Sequence, residues 1–171
     1  MARGGISVTV ASTLDHKLCT LSRGMKVQAD ALLKEVKTGH SYDIIVLPGG
    51  MPGAQHFAEN ADLIEMLKEQ KARGLWYAAI CASPALVFKA KGIAATETMV
   101  CYDYKDFNEI LGSNKVADRV VVSGKCITSV GPGSSVDFAL AIVECLVGPS
   151  KADQVAKDMM VTSRIAPVHH K

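Results

Sequence analysis

Cys81 occupies the place in this sequence from which chemistry is most readily read. The apolar run Trp76–Ile80 passes without a linker through Cys81 into Ala82-Ser83-Pro84, so a strand feeds a helix directly at the thiol. Ala79 and Ser83, two residues either side, are small, as a strained strand-to-helix elbow requires if its central side chain is to project into the open. A helix N-terminus just beyond the sulfur favours the thiolate, which is the nucleophilic form. The same string also fits a buried packing cysteine. Pro48-Gly49-Gly50, at the end of another apolar run, is the natural complement. Glycines admit positive φ and close approach, so the N–H groups of Gly50 and Ala82 could together hold an oxyanion. Taken alone, Pro-Gly-Gly is an ordinary turn.

Other candidates carry less. Gly131-Pro132-Gly133-Ser134-Ser135 lacks the lysine of a phosphate loop and reads as a tight strand-to-helix turn, with room for a small anion at the helix that follows. The histidines form no H-x-x-x-H pair; His169-His170 reads as a solvated tail, and His56 alone lies near the Pro-Gly-Gly loop. The five cysteines (19, 81, 101, 126, 145) show neither C-x-x-C spacing nor a paired Cys/His pattern, so a disulfide scaffold and a zinc site are both set aside. Cys126 and Cys145 read as core filler, Cys19 as a loop residue, and Cys101 as a strand residue near the strand ends. The Met-rich end of the last helix reads as core.

These residues need a frame. Residues 6–10 alternate Ile, Val and Val with Ser and Thr, predicting an opening strand. Residues 13–41 are mixed, with a short strand near 25–29 and a helical turn or two ending at Gly39. The run YDIIVL has no polar face, as in a strand of a parallel sheet covered on both sides. Residues 60–73 form a surface helix with Asn60 as N-cap and Gly74 as stop. Strands follow at 76–80, 98–102, 119–122 and 125–129, the last two joined by a hairpin at Ser123-Gly124. The segment VDFALAIVECLV is a buried helix and KADQVAKDMM an amphipathic one. Unalternating strands with helices between them predict an α/β fold, a three-layer sandwich on a mostly parallel sheet. Sites in such sheets lie beyond the carboxyl ends of the strands, which selects the loops at 48–53, 81 and 130–135.

With 171 residues there is one domain, 1–171. A 49% apolar and 21% charged composition excludes disorder. A formal charge of +2 is far from a nucleic-acid footprint. No apolar run reaches the ~18–20 residues that span a bilayer, and the opening lacks a signal-peptide layout. A reducing cytoplasm, with no membrane and no nucleic-acid partner, is the expectation.

The strings SRGMKVQAD, YDIIVLPGGMPGAQ, AAICASPALV and TSVGPGSSVDFALAIVECLVG resemble the ThiJ/PfpI superfamily, most closely its Parkinson-disease protein deglycase-like branch, over nearly the whole chain. The resemblance implies a flavodoxin-like α/β/α sandwich, a homodimer and no cofactor. It implies that Cys81 is a reactive, oxidisable nucleophile, that Gly50 and Ala82 form the oxyanion pocket, and that Gly49, Arg23, Tyr102, Cys101 and Pro132 line the substrate site. The implied activity is that of a deglycase or glyoxalase on methylglyoxal, glyoxal or their early adducts with amines and thiols; a redox-responsive chaperone is the alternative. Tyr102 stands where many relatives carry histidine, so no Cys–His dyad is implied. Val130 replaces the usual arginine of T-S-R-G-P-G, removing a cation near the pocket, and the HPE-type segment of related glutamine amidotransferases is absent. The family opens with a strand, an acidic turn bearing a glutamate, and a helix; Met1-Ala2-Arg3-Gly4-Gly5 matches the end of that helix, so no residue here maps to the glutamate.

Overall fold

The computed structural model describes residues 1–39, 41–163 and 165–170. Its main sheet runs β5 (Ile44–Leu47), β6 (Trp76–Ile80), β8 (Cys126–Ser129), β7 (Val120–Ser123) and β9 (Val168–His170), in that spatial order. The β5/β6, β6/β8 and β7/β9 pairs are parallel, and the β7/β8 hairpin is antiparallel. Two small ladders lie outside it: β1 (Ala11–Ser12) with β4 (Ala31–Leu32), parallel, and β2 (Leu18–Thr20) with β3 (Lys26–Gln28), antiparallel.

The unalternating strands have the meaning the sequence suggests. Successive side chains of β6 go to opposite faces: Tyr77 and Ala79 enter one hydrophobic cluster, Ala78 and Ile80 another. The first cluster is closed by Leu63 and Leu67 of α3 (Ala61–Ala72), Phe88 of a π-helix (Pro84–Lys89), and Leu111 of α4 (Lys105–Leu111). The second is closed by Phe138, Ala141 and Ile142 of α5 (Ser135–Val147). A third layer of contacts seats α6 (Pro149–Asp158) on α5 through Leu140, Val155 and Ala156. Leu67, Phe88 and Ile142 are fully buried, and each such side chain contributes about 1.5–3 kcal/mol. The architecture is the expected flavodoxin-like α/β/α sandwich.

Helix signals hold at α3, where the Asn60 side chain accepts the Leu63 N–H at 2.9 Å. Gly74, at φ 68°, follows as its stop. Single-turn α1 (Leu33–Val36) and the unforeseen α2 (Gly53–Glu59) complete the helices that flank the loops.

Several expectations are corrected. Residues 6–10 form no ladder among the described residues; Val8 and Val10 lie exposed, and strand pairing begins only at Ala11. Residues 98–102 make a single bridge, Met99 with Lys115, because their N–H groups go to scattered partners rather than to a neighbouring strand: Met99 to the Asn114 carbonyl, Tyr102 to the Cys81 carbonyl, and two to buried hydroxyls. Thr98 N–H donates to Ser123 Oγ at 3.2 Å and Val100 N–H to Thr128 Oγ1 at 3.1 Å. His169 and His170 are not tail: they pair with Val122 and Ser123, and His170 lies 3.6 Å from Asp118. Cys19 belongs to β2, and the turn of the hairpin falls at Gly124-Lys125, one residue later than expected. Met159 and Met160 are exposed rather than core.

Candidate active site

Register brings the candidate residues together. Leu47 pairs with Ala79 and Ile80 with Ser129, so β5, β6 and β8 end level with one another at their carboxyl ends. The loops that leave them, beginning at Pro48, Cys81 and Val130, therefore converge on one spot.

Cys81 sits at φ 67°, in the left-handed region. An L-residue holds that conformation at a cost of roughly 1–2 kcal/mol, so its surroundings must enforce it. Both of its backbone polar groups are fastened. The Cys81 N–H donates to the Ser129 carbonyl at 2.9 Å, and the Cys81 carbonyl accepts the Tyr102 N–H at 2.8 Å. The side chain is half-buried. Gly49 lies against it: a Cβ there would come 2.4 Å from Cys81 Cβ and 3.1 Å from Sγ, so only hydrogen fits. Ser83, fully buried, donates its hydroxyl to the Pro48 carbonyl at 2.6 Å and ties the glycine loop to the elbow. Sequence reasoning counted Ser83 only as a small flank.

Gly50 adopts φ 91°, and a Cβ there would meet Ser22 Cβ at 3.3 Å. That contact sets the short 3-10 turn Ser22–Gly24, with Arg23 exposed at φ 68°, beside the glycine loop. Among the described residues no acceptor engages the N–H of Gly50 or of Ala82, and the Arg23 guanidinium has no salt-bridge partner.

On the third side, Gly131 packs on the Tyr102 ring; a Cβ at 131 would approach its Cδ2 to 3.3 Å. Tyr102 is exposed and so is Pro132, which opens the 3-10 turn Pro132–Ser134. Cys101 is buried beneath, its Sγ directed at the Tyr102 carbonyl at 3.4 Å and Asn108 Oδ1 at 3.8 Å. Burial pushes the Cys101 thiol up to about 11. Among the described residues it is thus a poor source of thiolate beside Cys81. His56 is exposed on α2.

Val130 leaves the third loop without its own cation, yet Arg119, which sequence reasoning passed over, serves that loop. Its Nε donates to Asp137 Oδ2 at 2.7 Å and its terminal nitrogen to the Gly133 carbonyl. No group of three His, Cys, Asp or Glu side chains converges as a metal site among the described residues, and no helix among them is long and apolar enough to cross a membrane.

A family model, the DJ-1/PfpI family, matches residues 1–145. The chain belongs to the DJ-1/PfpI family. It is 40% identical over 161 residues to Protein DJ-1 homolog B of Arabidopsis thaliana, covering 94% of this chain but 36% of that protein. It is 39% identical to the glutathione-independent glyoxalase DJR-1.2 of Caenorhabditis elegans, covering 93% of this chain and 83% of that one. The chain thus spans well under half of the two Arabidopsis relatives, 36% and 41%. Among solved structures, oxidized Toxoplasma gondii DJ-1 superposes with a TM-score of 0.89 at 41% identity, over 93% of this chain and 85% of that one.

Proposed function

We propose that this DJ-1/PfpI protein is a cysteine-dependent enzyme of the glyoxalase or deglycase type, with Cys81 as nucleophile. The observation that carries the reading is the left-handed Cys81 at the level ends of three strands, beside a glycine loop and an elbow whose Gly50 and Ala82 N–H groups no acceptor engages among the described residues. In the reaction with methylglyoxal, the Cys81 thiolate adds to the aldehyde carbon and forms a C–S bond while the carbonyl π pair moves to oxygen. The two N–H donors face the oxyanion so produced. A proton then moves from the former aldehyde carbon to its neighbour, leaving a thioester, and water cleaves the C–S bond to give lactate and return the thiol. Arg23, Tyr102, Gly49 and Pro132 form the rim that receives the small aldehyde or the glycated amine or thiol, while Cys101, expected beside them, is buried beneath Tyr102 and supports the rim from below. The C. elegans relative named a glyoxalase supports the reaction class. The same reading includes a homodimer in the cytoplasm and needs no cofactor.

The test is Cys81→Ser in purified protein: lactate formation from methylglyoxal falls to background, and retained turnover would sink the assignment. A second reading, a redox-responsive chaperone-like protein, draws on the oxidized state of the Toxoplasma relative and on the exposure of Cys81 compared with buried Cys101 and Cys126. Peptide mass spectrometry after mild peroxide separates the two. Preferential Cys81 sulfinate with negligible lactate formation favours the sensor, whereas turnover that survives until Cys81 is oxidised favours the enzyme.

A further inference from the structure

We infer that Ser134, together with Ser129, is a positioning residue that fixes both the Cys81 elbow and the seat of the Tyr102 ring. The inference rests on the reading of Cys81 as the reacting group.

Its starting point is the left-handed backbone of Cys81, which two hydrogen bonds enforce. One anchor is the Ser129 carbonyl, the other the Tyr102 N–H. Both lead to Ser134. Ser129 is fully buried at the end of β8, and its hydroxyl lies 2.6 Å from the Ser134 hydroxyl and 3.0 Å from the Arg119 carbonyl. Ser134, also fully buried, accepts the Gly131 N–H on its Oγ at 3.1 Å and lies 2.8 Å from the Gly131 carbonyl. Gly131 is the residue against which the Tyr102 ring packs. A single hydroxyl thus links the strand end that receives the Cys81 N–H to the glycine under the aromatic ring.

Two features separate this from incidental packing. Ser134 is the N-cap of α5, a position where a serine hydroxyl ordinarily accepts an N–H of the first turn. Here it makes no such cap and turns into the loop instead. The two hydroxyls also have two protons for three short contacts; the 2.6 Å approach of their oxygens needs one proton between them, which leaves two arrangements, both satisfied. If Ser129 donates to Arg119, Ser134 donates to Ser129 and the Gly131 carbonyl is served by the Ser134 N–H at 2.9 Å. If Ser129 donates to Ser134, Ser134 donates to Gly131 and the Arg119 carbonyl is served by the Val130 N–H at 3.3 Å. The pair is bonded in both of these arrangements, as a rigid support requires.

The experiment measures iodoacetamide alkylation of Cys81 relative to Cys19, together with melting temperature. The variants are Ser134→Ala, Ser134→Thr, Ser129→Ala, the double Ser129→Ala/Ser134→Ala and, as a stability control away from the site, Leu140→Ala. Expected is a roughly tenfold fall in the Cys81:Cys19 ratio for Ser134→Ala, the equivalent of about 1.4 kcal/mol. Ser134→Thr, which keeps the oxygen, restores the ratio, and the double variant falls little further than the single, since the hydroxyls act as a unit. Leu140→Ala lowers the melting temperature and leaves the ratio unchanged. Should Ser134→Ala fail to fold, Ser129→Ala is read in its place, with the same expected fall. The inference is overturned if the folded serine variants keep the wild-type ratio, or if Leu140→Ala shifts it as much. A wild-type protein in which Cys81 reacts no faster than Cys19 would instead count against Cys81 as the reacting group, a separate failure.

Discussion

Replacing Gly49 by alanine tests the geometry of the elbow with one methyl group. Gly49 has no left-handed φ, so the substitution adds bulk without backbone strain. The new Cβ would lie 2.4 Å from Cys81 Cβ and 2.9 Å from the Ile80 carbonyl oxygen. Carbon atoms settle at about 3.5 Å or more, so the thiol-bearing residue or the glycine loop must move by about 1 Å. Neither neighbour is the free end of a flexible side chain, and Ser83 binds the loop to the elbow, so the displacement falls on the site itself. A misplacement of that size costs up to ~10²-fold in rate. The overpacking costs ~1–3 kcal/mol, which lowers the melting temperature by roughly 2–12 °C at this chain length. Lactate formation from methylglyoxal and the Cys81 alkylation rate should fall together. Gly53→Ala is the comparison: it has no atom within 4 Å of the new Cβ and no positive φ, so it should leave both unchanged. A Gly49→Ala protein with wild-type turnover, alkylation and melting would show that the close approach of Gly49 to Cys81 is wrong.

Two further outcomes follow from groups away from the thiol. Thr128→Val keeps the shape of a fully buried side chain but leaves the buried Val100 N–H without its 3.1 Å acceptor; the loss of ~1–3 kcal/mol appears as a lower midpoint in a thermal melt, and an unchanged midpoint would contradict the hydroxyl's role. Burial works to raise the Glu97 carboxyl, but hydrogen bonds from Lys71 and Tyr77 outweigh it and hold it below the usual carboxylate range. A carboxyl depressed in the folded state adds stability that is fully present above its unfolded value, about 4.3, and is lost as pH falls through the folded one. Melting temperatures should therefore decline more steeply toward acid pH in the wild type than in Glu97→Gln, and parallel curves would remove Glu97 from the account.

How far the sequence reveals this depends on whether a residue's role is local. The elbow is local: an apolar strand meeting Pro84 with small flanks places Cys81 at a strand end, and there the structure puts it. Asn60 and Gly74 mark α3 for the same reason, since caps act within one turn. Residues 98–102 are not local. Their β-prone composition predicts a strand, yet Thr98 and Val100 donate to the side chains of Ser123 and Thr128 and Met99 and Tyr102 to the carbonyls of Asn114 and Cys81, each distant in sequence, and no periodicity encodes such a set standing in for a ladder. His169 and His170 look like tail because only β7, far upstream, gives them a place. Arg119 opens a β-prone run and looks like the start of a strand, whereas its side chain reaches forward to Gly133 and Asp137, a contact visible only when the hairpin is folded.

The loops at the site are tied down without being part of the sheet. Loops beyond strand ends carry backbone groups that no ladder satisfies, and burying them unpaired costs stability. Water would satisfy those groups but would leave the loops free to move. Here fully buried hydroxyls do it: Ser83 takes up the Pro48 carbonyl, Thr128 the Val100 N–H, and Ser134 the Gly131 N–H. Each joins one of the converging segments to a strand end or to the elbow. Their short side chains are uncharged, so they fix position without adding charge that would compete with a thiolate or an oxyanion. A cysteine can then remain in a left-handed conformation without glycine's freedom, because the cost is offset by bonds made just outside the reacting centre. That division of labour predicts where deleterious changes concentrate: at serines and threonines that touch no substrate, in segments whose sequences look like ordinary turns.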